Sequence, residues 1–402
     1  MSKGDQADGN GGPVVLAPPR GFRDILPTEA RELRAIERTL SEVFASYGYL
    51  PLDPPLVEHG DATPVAGPAR LISFLDRDGT RVALRPDITS AVARLVAQRY
   101  SGPSGALRLS YFAPVFREEP AMLGAERQYD QAGAELVGAV GPLADAEVLA
   151  LMAESLACAG LHDQQIEVGH VGVLMSLFAE LDDASRAVVL RELRDGDHVG
   201  AFKRARRAGM STDGLRRAER GLAARGMSEL DALTLPEASA LHEVIALARQ
   251  LFGGTRGDWA VPNLALLPTL PYYTGIVFEA LRPDVGFAIA SGGRYDGLLS
   301  AYGAARPAAG FAINVPRLHR ALFATGWRPR HDQCLVVIEP GDPRRTARLA
   351  SALRGVGVTA AIGPIAESGG LAVVNVDVVD DEHVRHADGR VLTVDELARV
   401  VA

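Results

Sequence analysis

Cysteine is scarce in this chain: only Cys158 and Cys334 occur among its 402 residues. Two cysteines that lie far apart in sequence argue against a disulfide framework and favour a reducing cytoplasm. The sequence suggests no histidine partner for either thiol. Neither cysteine is therefore predicted to be an activated nucleophile, and we assign no catalytic residue.

Lysine is also scarce, and metal-ligand patterns and long apolar runs are missing. Lys3 and Lys203 are the only lysines, a bias to which we give no functional weight. The nine histidines lack the spacing of metal ligands. His383 and His386 lie close together in a predicted polar loop without a nearby cysteine, so we predict no metal site and no cofactor. No apolar run approaches the length of a transmembrane helix, so no membrane contact is expected.

The amino-terminal residues lack the apolar segment of a signal peptide and are rich in Gly, Asp and Asn. We expect residues 1–15 to form a disordered arm and the protein to be cytoplasmic. The formal net charge is −8, and no basic face for a nucleic acid stands out. A length of 402 residues with 47% hydrophobic residues predicts two or three well-packed domains.

Apolar periodicity predicts an ordered core over residues 16–326. Thr28 is placed to cap a helix that carries Leu33, Ile36 and Leu40 and ends at Gly48. Residues 76–79, between two apolar runs, predict a hairpin. Other strands are predicted over 106–117, 129–137, 166–173, 264–281 and 286–290, and helices over 89–100 and 144–159.

Two further units are predicted around this core. Residues 174–258 are mainly helical and read as an insertion. Residues 327–332 resemble a linker, and the alternating pattern of 333–402 predicts a small C-terminal α/β domain.

Two neighbouring segments have the composition of a binding site. Residues 267–279 contain Tyr272 and Tyr273 followed by β-branched residues, and they are predicted to form a strand. Residues 291–297 are predicted to form a glycine turn that opens toward Tyr295. Tyrosines supply hydroxyl groups, and glycines allow the backbone to approach a ligand.

With five other segments, these two resemble class II histidyl-tRNA synthetases. Residues 48–58 match the dimer-forming first motif, and residues 84–89 match the strand that supplies an acid and a threonine. Residues 115–119 match the arginine-bearing second motif. Residues 128–135 match the Gln/Glu pair of the histidine site, and residues 310–317 match the third motif. The resemblance covers roughly residues 18–322. It implies an α+β fold, with a class II antiparallel sheet flanked by helices, a helical insertion and a small C-terminal α/β domain.

The resemblance also implies a histidine pocket. The matching positions are Asp87, Thr89, Arg117, Arg127, Gln131, Glu135, Tyr272, Tyr273, Gly292 and Gly293. Carboxylates suit the ammonium and imidazolium of histidine, because charge-assisted hydrogen bonds are strong. Each residue type also has a structural explanation that needs no ligand. The acids can lie at strand ends, the tyrosines can pack in the core, the glycines can form a turn, and the arginines can form surface ion pairs. Arg317, at a predicted helix start, is open to the same explanation.

Departures from the synthetase pattern fall where ATP chemistry is expected. The catalytic arginine of that family falls on Pro268, which carries neither a charge nor a donor. Pro120, Leu123 and Ala125 occupy positions that are basic in that family. Amino-acid activation develops negative charge at phosphate, so a lost cation removes much transition-state stabilisation. Residues 331–402 carry seven positive and eleven negative side chains, which argues against tRNA binding.

A sequence that keeps the pocket residues but lacks the catalytic arginine resembles the family of ATP phosphoribosyltransferase regulatory subunits, which are paralogues of the synthetases. That resemblance implies a role without catalysis in the first step of histidine biosynthesis and in its feedback regulation by L-histidine. It also implies a short-form catalytic partner in a hetero-octamer, self-dimerisation through the first-motif region and no tRNA partner. The alternatives are an active histidyl-tRNA synthetase and a stand-alone histidine sensor.

Overall fold

The structure is a computed structural model, and it describes most of the chain. The described residues are 16–60, 71–100, 105–118, 126–252, 258–267, 272–282, 286–329, 334–380 and 383–401. The predicted arm over residues 1–15 lies outside them. Among the described residues the strands form three sheets, and no helix there is long and apolar enough to span a bilayer.

The strands are numbered in chain order. They are β1 (Leu50–Pro51), β2 (Val57–His59), β3 (Ser73–Leu75), β4 (Arg81–Leu84), β5 (Leu107–Phe116), β6 (Gln128–Val137), β7 (Gln165–His170), β8 (Ala260–Pro262), β9 (Ile276–Leu281), β10 (Ala290–Arg294), β11 (Ala308–Asn314), β12 (Leu335–Ile338), β13 (Thr359–Ile362), β14 (Val373–Val378), β15 (His383–His386) and β16 (Val391–Thr393).

The helices are numbered in the same way. They are α1 (Pro27–Ser46), α2 (Thr89–Arg99), α3 (Pro142–Cys158), α4 (Val171–Leu177), α5 (Asp183–Arg194), α6 (His198–Arg207), α7 (Thr212–Ala223), α8 (Met227–Asp231), α9 (Pro236–Leu251), α10 (Val315–Ala324), α11 (Pro343–Gly355) and α12 (Val394–Val401).

The largest sheet has eight strands in the order β1-β5-β6-β11-β10-β9-β7-β8. Its central pairs are antiparallel, as predicted, but the edge pairs β1–β5 and β7–β8 are parallel. Parallel neighbours require a long crossover connection. The chain between β1 and β5, and the helices between β7 and β8, provide such connections, so the sheet is mixed.

Side chains along β6 alternate between two faces of the sheet. One face packs into the core, and we call the opposite face the site face. Ala132, Ala134 and Leu136 pack into the main hydrophobic core with α1 and α3. Gln131, Gly133 and Glu135 alternate with them and therefore point to the opposite face.

The first helix begins differently from the prediction. Thr28 was expected to cap α1, but the helix begins at Pro27, after Leu26, without a side-chain cap. Proline is well suited to a first helical turn, because its fixed φ fits and its missing N–H would have no partner there. Gly48, just beyond the helix, has a φ of +79°, which fits the predicted stop.

The first part of the glycine motif is a strand rather than the predicted turn, and only residues 296–298 form a turn. Residues 290–294 form β10, which pairs with β9 on one side and β11 on the other. A Cβ on Gly292 would lie 2.6 Å from the Phe278 ring and 2.4 Å from the Gly310 carbonyl. Glycine here permits close strand and ring packing, and this requirement comes from distant residues.

The helices between β7 and β8 share one core with the large sheet. Buried residues of α5, α6 and α7, including Val189, Ala201 and Ala218, join the same apolar cluster as Phe311 of β11. This segment therefore extends the β7 and β8 end of the sheet.

A second sheet, in the order β13-β12-β14-β15-β16, forms near the C-terminus. Its core includes Val336, Leu349 and Leu397, which come from β12, α11 and α12. The predicted polar loop at His383 and His386 is wrong, because these residues form β15 and pair with β14 and β16.

The third sheet, β2-β4-β3, is small and contains the predicted hairpin. Residues 76–79 connect β3 to β4, and the Asp76 carbonyl accepts a hydrogen bond of 2.9 Å from the Gly79 N–H. The hairpin prediction is confirmed.

Candidate functional site

The centre of the candidate site is Glu135, whose side chain is fully buried on the site face of β6. Thr89 donates a hydrogen bond of 2.7 Å from its hydroxyl to Glu135 Oε1, and the Tyr111 hydroxyl lies 3.5 Å from the same oxygen. Tyr295 donates to the other oxygen, Oε2. These three hydroxyl groups come from separate parts of the chain, and they meet at the buried carboxyl group, which satisfies its hydrogen-bonding capacity.

Burial raises the pKa of Glu135 to about 8, against an ordinary value of 4.5. The hydroxyl hydrogen bonds oppose that rise, and the nearby charge of Asp87 adds to it. At neutral pH the carboxyl group is therefore largely protonated. A cationic ligand that reached it would favour its ionised form.

Asp87 and Thr89 flank the start of α2. The Asp87 carboxylate accepts a hydrogen bond of 2.7 Å from the Ser90 N–H, which satisfies a backbone donor of the first helical turn. Asp87 is only half-buried. Its charge also contributes to the raised pKa values of Tyr111 and Tyr272, after the larger effect of burial, so it lies close to the tyrosines around Glu135.

Three tyrosines form an aromatic wall beside Glu135. The ring centroids of Tyr272 and Tyr273 are 4.8 Å apart, and those of Tyr272 and Tyr295 are 5.5 Å apart. Burial raises the pKa of all three phenols, so each stays protonated as a hydrogen-bond donor. Tyr272 and Tyr273 lie before β9 and not in a strand, contrary to the prediction for residues 267–279.

Gly292 and Gly293, the two glycines among the predicted site residues, point to different faces of β10. A Cβ on Gly293 would lie 2.9 Å from the Tyr273 ring, so this glycine makes room for the aromatic wall. Gly292 points the other way, against Phe278 and Phe311 in the core. The prediction that Gly292 contacts a ligand is therefore corrected, because neighbouring residues of a strand face opposite sides.

Gln131 lies on the site face, four residues before Glu135 on β6. It is buried, and its cross-strand neighbours are Ala113 and Asn314. Its position allows it to line the same pocket as Glu135.

A buried ion pair supports Tyr295 from behind. Arg294 donates a hydrogen bond of 2.7 Å from Nε to Asp145 Oδ1 of α3, and its Nη2 lies 2.6 Å from the same oxygen. Its Nη1 donates to Asp296 at 2.9 Å. Because Arg294 directly precedes Tyr295, the pair fixes the end of β10 where the chain turns toward Glu135.

The predicted arginines are engaged by other parts of the protein. Arg117 donates from Nε to the Pro86 carbonyl at 2.9 Å and lies 5.7 Å from the Tyr129 ring centroid. Arg127 pairs with Glu118 and lies 5.3 Å from the Phe22 ring centroid. The structure therefore places Arg127 against the lead-in to α1, and not beside Glu135.

Arg317, at the start of α10, is also committed to the protein. Its Nη1 donates to the Ala288 carbonyl at 2.8 Å, and its guanidinium lies 5.1 Å from the Phe287 ring centroid. Pro268, Pro120, Leu123 and Ala125 lie outside the described residues.

Three contributors, Tyr111, Tyr295 and Gly310, were not among the predicted site residues. Tyr295 follows the glycine motif directly, and that position was its signal. Tyr111 had only its alternation along β5 as a signal. Gly310 had none, yet a Cβ there would lie 1.8 Å from Glu135 Oε2. In the described part of the chain, no group of three or more His, Cys, Asp or Glu side chains is arranged to hold a metal ion.

Comparison with known proteins places this chain in a family. The histidyl-tRNA synthetase family model matches residues 21–318. The ATP phosphoribosyltransferase regulatory subunit of Symbiobacterium thermophilum is 36% identical over 85% of this chain and 89% of its own length. That of Moorella thermoacetica is 37% identical over 76% of this chain and 82% of its own length.

Solved structures share the fold. A Bacillus halodurans structure described as an ATP phosphoribosyltransferase regulatory subunit/histidyl-tRNA synthetase aligns with a TM-score of 0.78 and 27% identity, over 91% of this chain and 99% of that one. A Nostoc histidyl-tRNA synthetase also aligns with a TM-score of 0.78, at 22% identity, over 96% of this chain and 99% of that one. The second similarity concerns the fold alone.

Proposed function

This chain belongs to the family of ATP phosphoribosyltransferase regulatory subunits, and we propose that it activates a short-form catalytic subunit in the first step of histidine biosynthesis. The observation that carries the proposal is the 36% identity to such a subunit across 89% of that protein's length. The two proteins would assemble as a hetero-octamer, and the reaction would take place on the partner.

The pocket around Glu135 is proposed to bind L-histidine. An imidazole ring carries donors and acceptors that match a carboxyl group and phenol hydroxyls, and the ligand's ammonium group suits Asp87. Thr89 and Gln131 would orient the ligand, and Tyr272 and Tyr273 would enclose it. The chain would use this pocket to sense the end product of the pathway.

The charged groups support binding without amino-acid activation. Activation requires a cation that is free to stabilise charge on phosphate. Arg117, Arg127 and Arg317 already contact protein carbonyls, a carboxylate or aromatic rings. Proline at position 268 provides no cation in their place.

Self-dimerisation is proposed through an apolar face near the first motif. We call apolar face the exposed side chains Leu50, Leu56, Val57 and Phe74, of which Leu50 is 66% and Phe74 47% exposed. Exposed apolar side chains favour an interaction surface, because covering them removes apolar area from water.

Reconstitution with the cognate catalytic subunit tests the proposal. Phosphoribosyl transfer would be measured with the catalytic subunit alone, with this chain added, and with L-histidine present. We expect this chain to raise the rate and L-histidine to lower it again. An unchanged rate in the presence of this chain would reject the proposed function.

The synthetase alternative has its own assay. Histidine-dependent exchange of pyrophosphate into ATP would be measured with the isolated chain. We expect no exchange above the background without histidine. Clear exchange would show that another cation replaces the missing arginine and would favour the alternative.

A further inference from the structure

The helices α6 and α7 carry a concentration of positive charge. Residues 198–225 contain eight positive side chains and only two negative ones, Asp213 and Glu219. The segment therefore carries +6 in a chain whose formal charge is −8, so the remainder carries −14. A separation of charge of this size creates a directed local potential.

All eight cations are exposed, and three of them have an ion-pair partner among the described residues, while Arg225 donates to the carbonyls of Leu222 and Ala224. Arg204, Arg216 and Arg217 pair with Glu192, Asp213 and Glu180, respectively. We call basic face the four unpaired exposed side chains Lys203, Arg206, Arg207 and Arg220. These cations are hydrated and free to meet a negatively charged surface.

A recess of about 540 Å³ opens between α5 and α6 beside this face. Its lining includes Lys203, Arg204 and Arg207, together with Ser185 and the carboxylates Glu192 and Asp197. Glu192 already contacts Arg204, and Asp197 accepts a hydrogen bond of 2.8 Å from the Gly200 N–H. The two carboxylates are thus engaged, and the cations Lys203 and Arg207 remain available in a concave surface.

The basic face and the apolar face lie toward opposite ends of the large sheet. The apolar face adjoins β1, whereas the basic face belongs to the helices that join β7 to β8. Strand spacing places these edges roughly 30 Å apart. A self-dimer formed through the apolar face therefore leaves the basic face uncovered.

We propose that the basic face docks an acidic surface of the catalytic subunit, an inference that rests on the proposed function. The partner is inferred to be a protein and not a nucleic acid for two reasons. The remaining −14 charge repels an extended phosphate backbone. In addition, Phe202, the aromatic residue of α6, packs against the core and does not offer a ring for base stacking.

Charge reversal tests this docking. Lys203→Glu/Arg207→Glu would be compared with Arg344→Glu/Arg385→Glu, which changes two exposed arginines of the C-terminal region by the same total charge. The dissociation constant for the purified catalytic subunit would be measured at about 50 mM and 500 mM salt. We expect the first variant to bind at least about tenfold more weakly at low salt, with the difference shrinking at high salt. The control variant should bind like the wild type.

A milder variant guards against misfolding. Lys203→Gln/Arg207→Gln should show an intermediate loss, with unchanged thermal unfolding and an unchanged self-dimer. Equal affinity of all variants, while the wild type still binds and activates the catalytic subunit, would overturn the docking inference alone. A wild type that does not bind the catalytic subunit would instead reject the proposed function.

The nucleic-acid reading has a separate outcome. Binding of a labelled 20-base-pair duplex would be measured with the wild type and with Lys203→Glu/Arg207→Glu. If reversal abolishes duplex binding but leaves binding to the catalytic subunit unchanged, the docking inference is wrong and the face recognises phosphate.

Discussion

On one side of the candidate site, Glu135 collects hydroxyl groups from Thr89, Tyr111 and Tyr295 and remains buried with a raised pKa. By contrast, Arg117, Arg127 and Arg317, which were predicted beside this carboxyl group or at the third motif, are each held by a carbonyl, a carboxylate or an aromatic ring. We call these the carboxyl side and the arginine side.

The carboxyl side holds its polar groups together with contacts from distant parts of the fold, and these are the groups that we propose to recognise an amino acid. The arginine side uses its cations to join neighbouring segments of the protein. The difference fits the proposed recognition without activation, since activation requires cations that are free to meet phosphate.

Breaking the ion pair behind Tyr295 has the largest expected effect on stability. Arg294→Met leaves the Asp145 carboxylate buried without its partner, so we expect a loss of about 3–5 kcal/mol in the free energy of unfolding. Chemical denaturation measures it. The double variant Arg294→Met/Asp145→Leu should recover most of the loss, and a single variant as stable as the wild type would show that the pair does not support the carboxyl side.

The raised pKa of Glu135 predicts a pH-dependent stability. Between pH 4.5 and 8 the unfolded chain loses a proton that the folded chain keeps, so the free energy of unfolding falls as pH rises through this window. The contribution at pH 8 is about −4 kcal/mol relative to pH 4, at 1.36 kcal/mol per pKa unit.

Glu135→Gln lacks this titration and serves as the reference. Denaturation at a series of pH values should show the wild type losing stability relative to Glu135→Gln as pH rises. Parallel curves would mean that Glu135 is ionised in the folded chain, contrary to the description of the carboxyl side.

Tyr295→Phe should have a smaller effect, of about 1–3 kcal/mol, because it removes one hydroxyl donor from a buried carboxyl group. That hydrogen bond lowers the pKa of Glu135, so its loss should extend the upper end of the pH-dependent decline in stability to higher pH, while the onset near pH 4.5 stays in place. Tyr100→Phe, which changes an exposed tyrosine, is the matched control. An unmoved decline in the Tyr295→Phe variant would place the hydroxyl outside the network.

The arginine side should show the smallest effect. Arg127→Ala breaks a partly exposed pair with Glu118, so we expect at most about 1 kcal/mol of destabilisation and unchanged affinity for L-histidine. Calorimetric titration checks the affinity. A marked loss of affinity would show that the arginine side takes part in recognition.

Sequence reasoning was accurate where the signals were local. The hairpin at residues 76–79, α2, β5 and β6 follow from turn residues and apolar periodicity. The hairpin between β15 and β16 has a comparable local signal in Asp388-Gly389, where Gly389 has a φ of +89°. The predicted loop at His383 and His386 overlooks this signal.

The remaining features depend on contacts between distant residues. Residues 290–294 form a strand because β9 and β11 lie on both sides, and Gly292 faces the core because of that register. Tyr111 and Tyr295 meet Glu135 only after the sheet is assembled. Arg127 contacts Phe22, more than a hundred residues earlier. No pattern of neighbouring residues in the sequence predicts these long-range contacts.

Titration of L-histidine into the isolated chain at pH 7, beside the same titration into Glu135→Gln, tests the central claim most directly. We predict one binding site per wild-type chain and affinity at least about tenfold weaker in the variant, because a charge-assisted hydrogen bond is lost. Equal affinities, or no binding to the wild type, would contradict a recognition site on the carboxyl side.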